Sequence, residues 1–340
     1  MALISKKKQM YPLQENLKRY LESYQRKIDL PITYEDLTRY RDSAPVYDKA
    51  GQDTLWATAI YSSSERNEIY RGMVNTYAAH KVKGEVELMQ HLITDRIDVC
   101  TWGNTLPFRV RIVNTLNENF DYFYVKRMDA SRIYGLELEH ILSPNCIEFL
   151  CDEHTLIEEH ISGIPGQRFM KDYVDLDRLD GVRIAKEFVK FNERCLIRLL
   201  GDMHAGNFVV SVTPDFDETV YRIRPIDFDQ QSYEKRCHIY LPQYFKDNNP
   251  IIALGMKWMN PKTVEQYREE ERTLMRSRAR AEHARLEELL SVMATDTIAP
   301  YSHVLQLREE LCSYHQDERF MIADSMGQLV NLSLDLLRWR

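Results

Sequence analysis

The segment Leu199–Val210 reads Leu-Leu-Gly-Asp-Met-His-Ala-Gly-Asn-Phe-Val-Val, and it places an Asp, a His and an Asn between two apolar runs. Gly201 and Gly206 interrupt any helix at this point. We expect the apolar flanks to be buried and the polar turn between them to be held as a rigid loop. Rigid polar loops on a buried scaffold are where catalytic and binding residues tend to lie.

Asp202 and Asn207 in this loop have the spacing Asp-x-x-x-x-Asn. A phosphoryl-transfer loop uses this spacing, because its Asp orients the acceptor hydroxyl and takes the proton while its Asn binds magnesium. Further along, Arg224-Pro-Ile-Asp-Phe-Asp229 exposes Asp227 after an apolar residue, as expected of a second magnesium ligand at a strand end. A strand at 219–226 would return Asp227 to the side of Asn207. The alternative is an Asx-type turn and a solvated strand end.

These motifs resemble those of the protein-kinase-like superfamily, and within it the aminoglycoside and choline phosphotransferases. That branch carries a His-Gly-Asp-x-His-x-x-Asn loop, and the chain departs from it with Leu200 in place of the leading His. The matching residues are Gly201, Asp202, His204 and Asn207. The resemblance implies an α+β, two-lobed kinase-like fold that uses ATP and Mg²⁺, with Asp202 as the catalytic base and Asn207 and Asp227 as metal ligands.

Three β-rich runs occupy the middle of the chain, at Ile97–Trp102, Phe108–Val113 and Phe120–Lys126. Polar turns separate them, so they predict two hairpins and a small antiparallel sheet lobe. The turn Thr101–Pro107 would lie over the phosphates of a nucleotide. It has one glycine, so few backbone amides there are expected to approach phosphate closely.

Lys126 ends the third run and fits the phosphate-binding lysine of the superfamily. A helix at Ser131–Leu142 offers Glu137 as its expected carboxylate partner. Two alternatives stay open. Lys126 is an exposed lysine at a strand end, or a slip in register exchanges it with Arg127.

Two further runs, Ile147–Cys151 and His154–His160, would complete the sheet. The segment that follows resembles the linker between lobes in aminoglycoside-type kinases, whose backbone pairs with adenine. The expected adenine-binding residues are Glu158, Glu159, His160 and Ile161. Backbone groups would make this contact, so side-chain identity is a weak guide to it.

The predicted division of the chain has three parts. Residues 1–95 are an added N-terminal helical region, with a loop at Ser43–Pro45 and a helix from about Glu65 to Thr94 that Gly84 would interrupt. Residues 96–161 form the small lobe and hinge. Residues 162–340 form a large helical lobe, in which a helix at Leu176–Leu199 leads into the polar loop.

Composition limits the classes of function. The chain has 340 residues and a net charge of −7, which argues against a general nucleic-acid binder or an anionic-membrane binder. Its start lacks a signal-peptide core and no apolar run approaches a membrane span, so a cytoplasmic protein is expected. The six cysteines have no metal-binding spacing and are expected to be reduced and mostly buried.

The expected function is therefore ATP- and magnesium-dependent transfer of a phosphoryl group to a hydroxyl of a small-molecule acceptor. Two alternatives keep the fold: a catalytically weak nucleotide-binding module, and an enzyme that modifies a protein acceptor. A third is a metal-dependent hydrolase. It would use Asp202, His204, Asp227 and Asp229 as ligands.

Overall fold

A computed structural model describes residues 8–48, 50–82, 90–101, 105–175, 179–215 and 219–337. The chain forms two compact units. The helical unit contains Met1–Leu17, Asp129–Cys146 and Ile161–Arg340, and the sheet unit contains Lys18–Met128 and Ile147–His160. The boundary predicted between residues 95 and 96 therefore falls inside the sheet unit.

The sheet unit is built on a seven-stranded antiparallel sheet with the order β1-β2-β3-β4-β5-β7-β6. Its strands are β1 Asp42–Tyr47, β2 Asp53–Ile60, β3 Leu92–Cys100, β4 Phe108–Asn114, β5 Phe120–Arg127, β6 Phe149–Cys151 and β7 Thr155–Glu159. The helices of this unit are α2 Tyr34–Leu37 and α3 Ser63–Val82. Helix α1, Glu15–Ser23, begins in the helical unit and ends in the sheet unit.

One face of this sheet forms the core of the unit. The alternate positions of β4 and β5 that are buried there are Phe108, Val110, Ile112, Phe123 and Val125, because successive side chains of a strand point to opposite faces. Residues of α2 and α3 join the same core cluster, including Leu37, Ile69 and Met73. The polar residues that alternate with the core positions lie on the other face of the sheet.

The helical unit contains most of the helices and a small sheet with the order β10-β9-β8. The strands are β8 Ile164–Pro165, β9 Phe208–Pro214 and β10 Thr219–Pro225, and the helices are α4 Ala130–Leu142, α5 Gly166–Asp172, α6 Gly181–Arg198, α7 Asn249–Trp258, α8 Pro261–Ala281, α9 His283–Thr295, α10 Tyr301–His315 and α11 Met326–Asp335. Helix α6 packs on α7, α8 and β10 and ends immediately before the polar loop.

The α+β class and the antiparallel sheet are confirmed, and β4 and β5 lie where two of the β-rich runs predicted them. Strand β3 overlaps the run predicted at Ile97–Trp102 but begins five residues earlier, at Leu92. The predicted loop at Ser43–Pro45 is wrong, because these residues belong to edge strand β1. An edge strand tolerates proline, since one side of its backbone needs no partner. The helix predicted to reach Thr94 is also wrong at its end, because β3 begins at Leu92. Its expected interruption at Gly84 lies outside the described residues.

Residues 1–95 are thus only partly helical, since they supply two strands to the main sheet. None of the six cysteines forms a disulfide, and four of them are buried, as predicted. None of the helices described here has the length and apolar character that crossing a membrane requires.

Candidate functional site

The polar loop of the helical unit starts where helix α6 ends. Leu199 has a left-handed backbone, with φ 53°, and it turns the chain out of the helix. The N–H of Leu200 then donates to the carbonyl of Cys195 at 2.9 Å, which satisfies a carbonyl at the helix end. Leu200 also forms an isolated antiparallel bridge with Gln231. A backbone bridge to a later segment therefore supports the loop at the position where the resembled loops have His.

Asp202 has a strained backbone within this loop. Its φ is 60°, a region that few residues other than glycine adopt, although Asp tolerates it better than most. The N–H of Asp202 donates to the carbonyl of Ile239 at 3.1 Å, and that of Gly201 donates to the carbonyl of Gln230 at 3.1 Å. Strain of this kind persists only where neighbouring structure holds it, and it is concentrated at functional sites.

The hairpin β9–β10 brings Asn207 and Asp227 together. Its register pairs Phe208 with Pro225, so the residues just outside the hairpin end lie side by side. The N–H of Ile226 donates to the carbonyl of Asn207 at 2.9 Å, and Asp227 follows directly. The predicted return of Asp227 to the side of Asn207 is confirmed.

Asn207 is also joined to Asp202. Its Nδ2 donates to the backbone carbonyl of Asp202 at 2.9 Å. This bond uses the donor end of the amide and leaves Oδ1 as the atom suited to a cation. A carbonyl oxygen from Asn207 and a carboxylate from Asp227 are hard oxygen ligands, which Mg²⁺ prefers. The residues present therefore fit a magnesium ion, with Asn207 and Asp227 as its protein ligands.

The pKa of the Asp202 carboxyl is raised to about 7. Burial is the main cause, and the nearby carboxylates of Asp227 and Glu234 add to it because like charges disfavour ionisation. A carboxyl group with a pKa near neutral pH is suited to accept a proton during a reaction. A cation bound beside Asp227 would reduce this repulsion.

His204 braces the loop. Its Nδ1 accepts a hydrogen bond from the N–H of Gly206 at 3.0 Å, so Nδ1 carries a lone pair and the proton of the neutral ring lies on Nε2. Burial lowers the pKa of His204, which keeps the ring neutral. Its ring centroid lies 6.2 Å from that of Phe245.

Two cations contact the carboxylates beside the loop, and sequence reasoning did not assign either of them to the site. The guanidinium of Arg132 is bonded to Asp229 and lies 3.6 Å from Asp227 Oδ1. The ammonium of Lys8 is bonded to Asp129 and donates to the carbonyl of Asp229 at 2.6 Å. Lys8 begins the described chain, and its side chain is buried rather than solvated. The sequence feature that could have indicated Lys8 is the run of three lysines at positions 6–8. Lys6 and Lys7 lie outside the described residues.

In the sheet unit, Lys126 is buried and donates to Glu158 Oε2 at 2.6 Å. Its expected partner Glu137 belongs to the helical unit, where Arg285 donates to both of its carboxylate oxygens at 2.8 to 3.1 Å. The pairing of Lys126 with Glu137 joins residues of different units and stays a prediction. Glu158 was expected to act through its backbone, and its side chain is a carboxylate partner of Lys126 instead.

The expected adenine-binding segment is divided by the end of β7. Glu158 and Glu159 lie in the strand and pair with residues of β5, whereas His160 and Ile161 follow it. Nδ1 of His160 lies 3.2 Å from the hydroxyl of Tyr124, and burial lowers the pKa of His160. The backbone edge outside the sheet is therefore at His160 and Ile161.

The turn expected over the phosphates is only partly described, because Trp102, Gly103 and Asn104 lie outside the described residues.

Among the described residues, no three or more His, Cys, Asp or Glu side chains are grouped to hold a metal ion. The hydrolase alternative needs such a group at Asp202, His204, Asp227 and Asp229. His204 is instead hydrogen-bonded within the loop.

Comparison with protein-family models finds no match, and comparison with curated proteins finds none. Any functional conclusion consequently depends on the geometry of Asp202, Asn207 and Asp227.

Proposed function

We propose that this protein is an ATP- and magnesium-dependent phosphotransferase that acts on a hydroxyl of a small-molecule acceptor. The observation that carries the proposal is the proximity of Asp202, Asn207 and Asp227. Asn207 Nδ2 donates to the carbonyl of Asp202, and the N–H of Ile226, the residue before Asp227, donates to the carbonyl of Asn207. A phosphoryl-transfer site needs a base and two metal-binding oxygens in one place. The kinase-like character of the fold is part of the same proposal.

Each residue has a separate role. Asp202 would orient the acceptor hydroxyl and take its proton as the hydroxyl oxygen bonds to the γ-phosphorus and ADP leaves. Asn207 and Asp227 would hold Mg²⁺, which neutralises charge on the phosphates when bound. Within the sheet unit, Lys126 would contact the phosphate groups of a nucleotide, and the backbone of His160 would pair with its adenine. These groups position the reacting atoms and neutralise charge. Substitution of the metal ligands should therefore affect nucleotide binding, whereas substitution of Asp202 should affect phosphoryl transfer.

The loop also offers an explanation of how the acceptor is held near the base. The carboxylates of Asp227 and Glu234 are close enough to Asp202 to raise its pKa. This local negative charge favours a cationic acceptor such as an amino sugar or an amino alcohol. The class of acceptor is therefore proposed from charge complementarity.

The test is the binding of ATP by isothermal titration calorimetry with and without Mg²⁺. Wild-type protein should bind ATP more tightly with Mg²⁺ than without it. Asp227→Asn should lose this difference, because the metal-binding carboxylate is replaced by a neutral amide. Glu318→Gln is a control with the same change from carboxylate to amide, since Glu318 is an exposed carboxylate of the same unit. Equal effects of magnesium on both variants would contradict the metal assignment.

One observation favours the second candidate, a nucleotide-binding module with weak catalysis. The guanidinium of Arg132 lies 3.6 Å from the proposed metal ligand Asp227, where it competes with a cation for the carboxylate. A protein of this kind would bind ATP without consuming it. Measurement of ADP formation separates the two candidates.

A further inference from the structure

One face of the seven-stranded sheet carries a continuous row of polar side chains. Residues that pair directly across neighbouring strands share a face of the sheet. The row crosses β2, β3, β4, β5 and β7 through Thr58, Asp98, Arg109, Tyr124 and Glu158. We call it the polar row. The apolar core lies on the opposite face.

Arg109 is held in a fixed orientation within the polar row. Its Nε and Nη2 donate to Asp98 Oδ2 at 3.3 and 2.8 Å. Its guanidinium also lies over two rings, 4.5 Å from the centroid of Trp56 and 5.1 Å from that of Tyr122. An arginine that is hydrogen-bonded to a carboxylate and stacked on aromatic rings is already ordered. It therefore loses little conformational freedom when it binds a ligand. Nη1 makes no hydrogen bond to any residue that the structure describes.

The positive charge around Arg109 is greater than the negative charge of its partner Asp98. Asp98 is fully buried, and it also lies 3.2 Å from the guanidinium of Arg96 and accepts from Thr58 Oγ1 at 2.9 Å. Two guanidinium groups thus surround one carboxylate, which leaves a net positive charge. The side chain of Arg109 is 17% exposed, so part of this charge faces outwards. An anion is the complementary ligand.

Lys126 adds a further cation on the same face. Its ammonium donates to Glu158 Oε2 at 2.6 Å, so the face keeps the net positive charge of Arg96 and Arg109 over Asp98. Lys126 follows Tyr124 by two residues in β5, and its Nζ lies 5.9 Å from the centroid of the Tyr124 ring. Since Tyr124 is opposite Arg109, Lys126 is a diagonal neighbour of Arg109, and such neighbours are about 7–8 Å apart. Two cations on adjacent strands suit a ligand that carries more than one phosphate group.

We propose that Arg109 binds the phosphate groups of a nucleoside diphosphate or triphosphate beside Lys126. This inference rests on the proposed function and deepens it. The sequence between Thr101 and Pro107 has one glycine, which predicts few close backbone amides for phosphate. Arg109 supplies charge-assisted hydrogen bonds in their place.

The experiment compares the binding of ADP and of adenosine to the full chain by isothermal titration calorimetry. Arg109→Met should weaken ADP binding about 10- to 100-fold, because charge-assisted hydrogen bonds to phosphate are lost. Adenosine affinity should stay unchanged, since adenosine has no phosphate. Arg111→Met is the matched control. Arg111 lies on the same face of β4, pairs with Asp95 at 2.6 Å and stacks on Phe120 at 4.2 Å.

A second pair of variants guards against misfolding, because Arg109→Met leaves Asp98 with one guanidinium fewer. The double variant Arg109→Met with Asp98→Asn is compared with Asp98→Asn alone, so the buried charge is removed from both proteins. The double variant should again bind ADP more weakly while adenosine binding is equal.

Three outcomes overturn the inference. Equal ADP affinity of Arg109→Met and Arg111→Met would show that Arg109 contributes nothing specific. Equal losses for ADP and adenosine would place its effect on the base or on folding. In both cases magnesium-dependent ATP binding that is sensitive to Asp227→Asn would leave the proposed function standing. Wild-type protein that binds neither ADP nor adenosine would overturn both proposals.

Discussion

At Asp202 the protein keeps a carboxyl group where its charged form is unfavourable. The pKa of Asp202 is about 7 in the folded protein, well above the ordinary value of 3.8, mainly because of burial. The folded state therefore holds a proton that the unfolded state releases between about pH 4 and pH 7. The group favours folding at low pH, and this contribution is lost as the pH rises through about 7. Catalysis has the opposite requirement, because Asp202 can accept a proton only in its ionised form.

Asp202→Asn should therefore stabilise the protein at pH 8, by roughly 2–4 kcal/mol, because an amide stays uncharged in the same place. The gain should shrink as the pH falls from 8 to 5, where the wild-type carboxyl is itself neutral. The measurement is the free energy of unfolding in urea across this pH range, with Glu318→Gln as an exposed control. A gain for Asp202→Asn that does not change with pH would show that Asp202 is not protonated in the folded state.

The local residues of the site were predictable, and its distant partners were not. Asp202, Asn207 and Asp227 lie in two short motifs joined by a hairpin, so their meeting follows from sequence and strand pairing. Arg132 is 97 positions from Asp229, and Lys8 is 121 positions from Asp129. No local pattern connects residues so far apart. Their contacts arise from the packing of α4 and of the N-terminal segment.

At the level of elements, the start of helix α5 supports the polar loop. The carbonyl of Ala205 accepts from the N–H of Gln167 at 2.9 Å. A methyl group at Gly166 would clash with this carbonyl oxygen and with the ring of Phe208. The close approach of α5 to the loop consequently requires glycine at position 166.

Gly166→Ala should lower stability by about 1–3 kcal/mol, because the loop or the helix has to move away. Gly255→Ala is the matched control, since Gly255 lies in α7 and nothing lies within 4 Å of an added methyl group there. That change should raise stability by about 0.5–1 kcal/mol through helix propensity. Thermal unfolding of the two variants tests the contrast, and a stabilised Gly166→Ala protein would contradict the packing described.

Elements with a clear two-residue alternation were predicted well. Residues alternate between buried and part-exposed along β4, and this pattern is visible in its sequence. Strand β1 was missed because Pro45 indicates a loop and because none of its residues is buried. The exact positions of the edge strands depend on tertiary contacts, which local propensity does not record.

At the level of the whole molecule, residues 18–95 are part of the sheet unit rather than an addition to it. Leu37, Ile69 and Met73 from this region are each fully buried in the same core cluster as Ile97 and Val110. Strand β2 also pairs with β3. The predicted boundary followed the change from polar helical patterns to strands. Such a change in pattern does not show which elements share a core.

A chain that starts at residue 96 should therefore lose cooperative unfolding, because the sheet would expose the face that α2 and α3 cover. Circular dichroism during heating measures this, with the full chain as reference. A truncated protein that unfolds cooperatively near the temperature of the full chain would show that residues 1–95 are a separate addition.

The proposed reaction requires Asp202 to accept a proton during phosphoryl transfer while Asn207 and Asp227 bind magnesium. The most direct measurement is the rate of ADP formation from ATP and Mg²⁺ with a panel of amino sugars and amino alcohols. Wild-type protein should form ADP with at least one acceptor. Asp202→Asn should bind ATP and Mg²⁺ with unchanged affinity and form ADP at least about 100-fold more slowly. Full turnover by Asp202→Asn, or ATP binding by wild-type protein without turnover of any acceptor, would contradict the account.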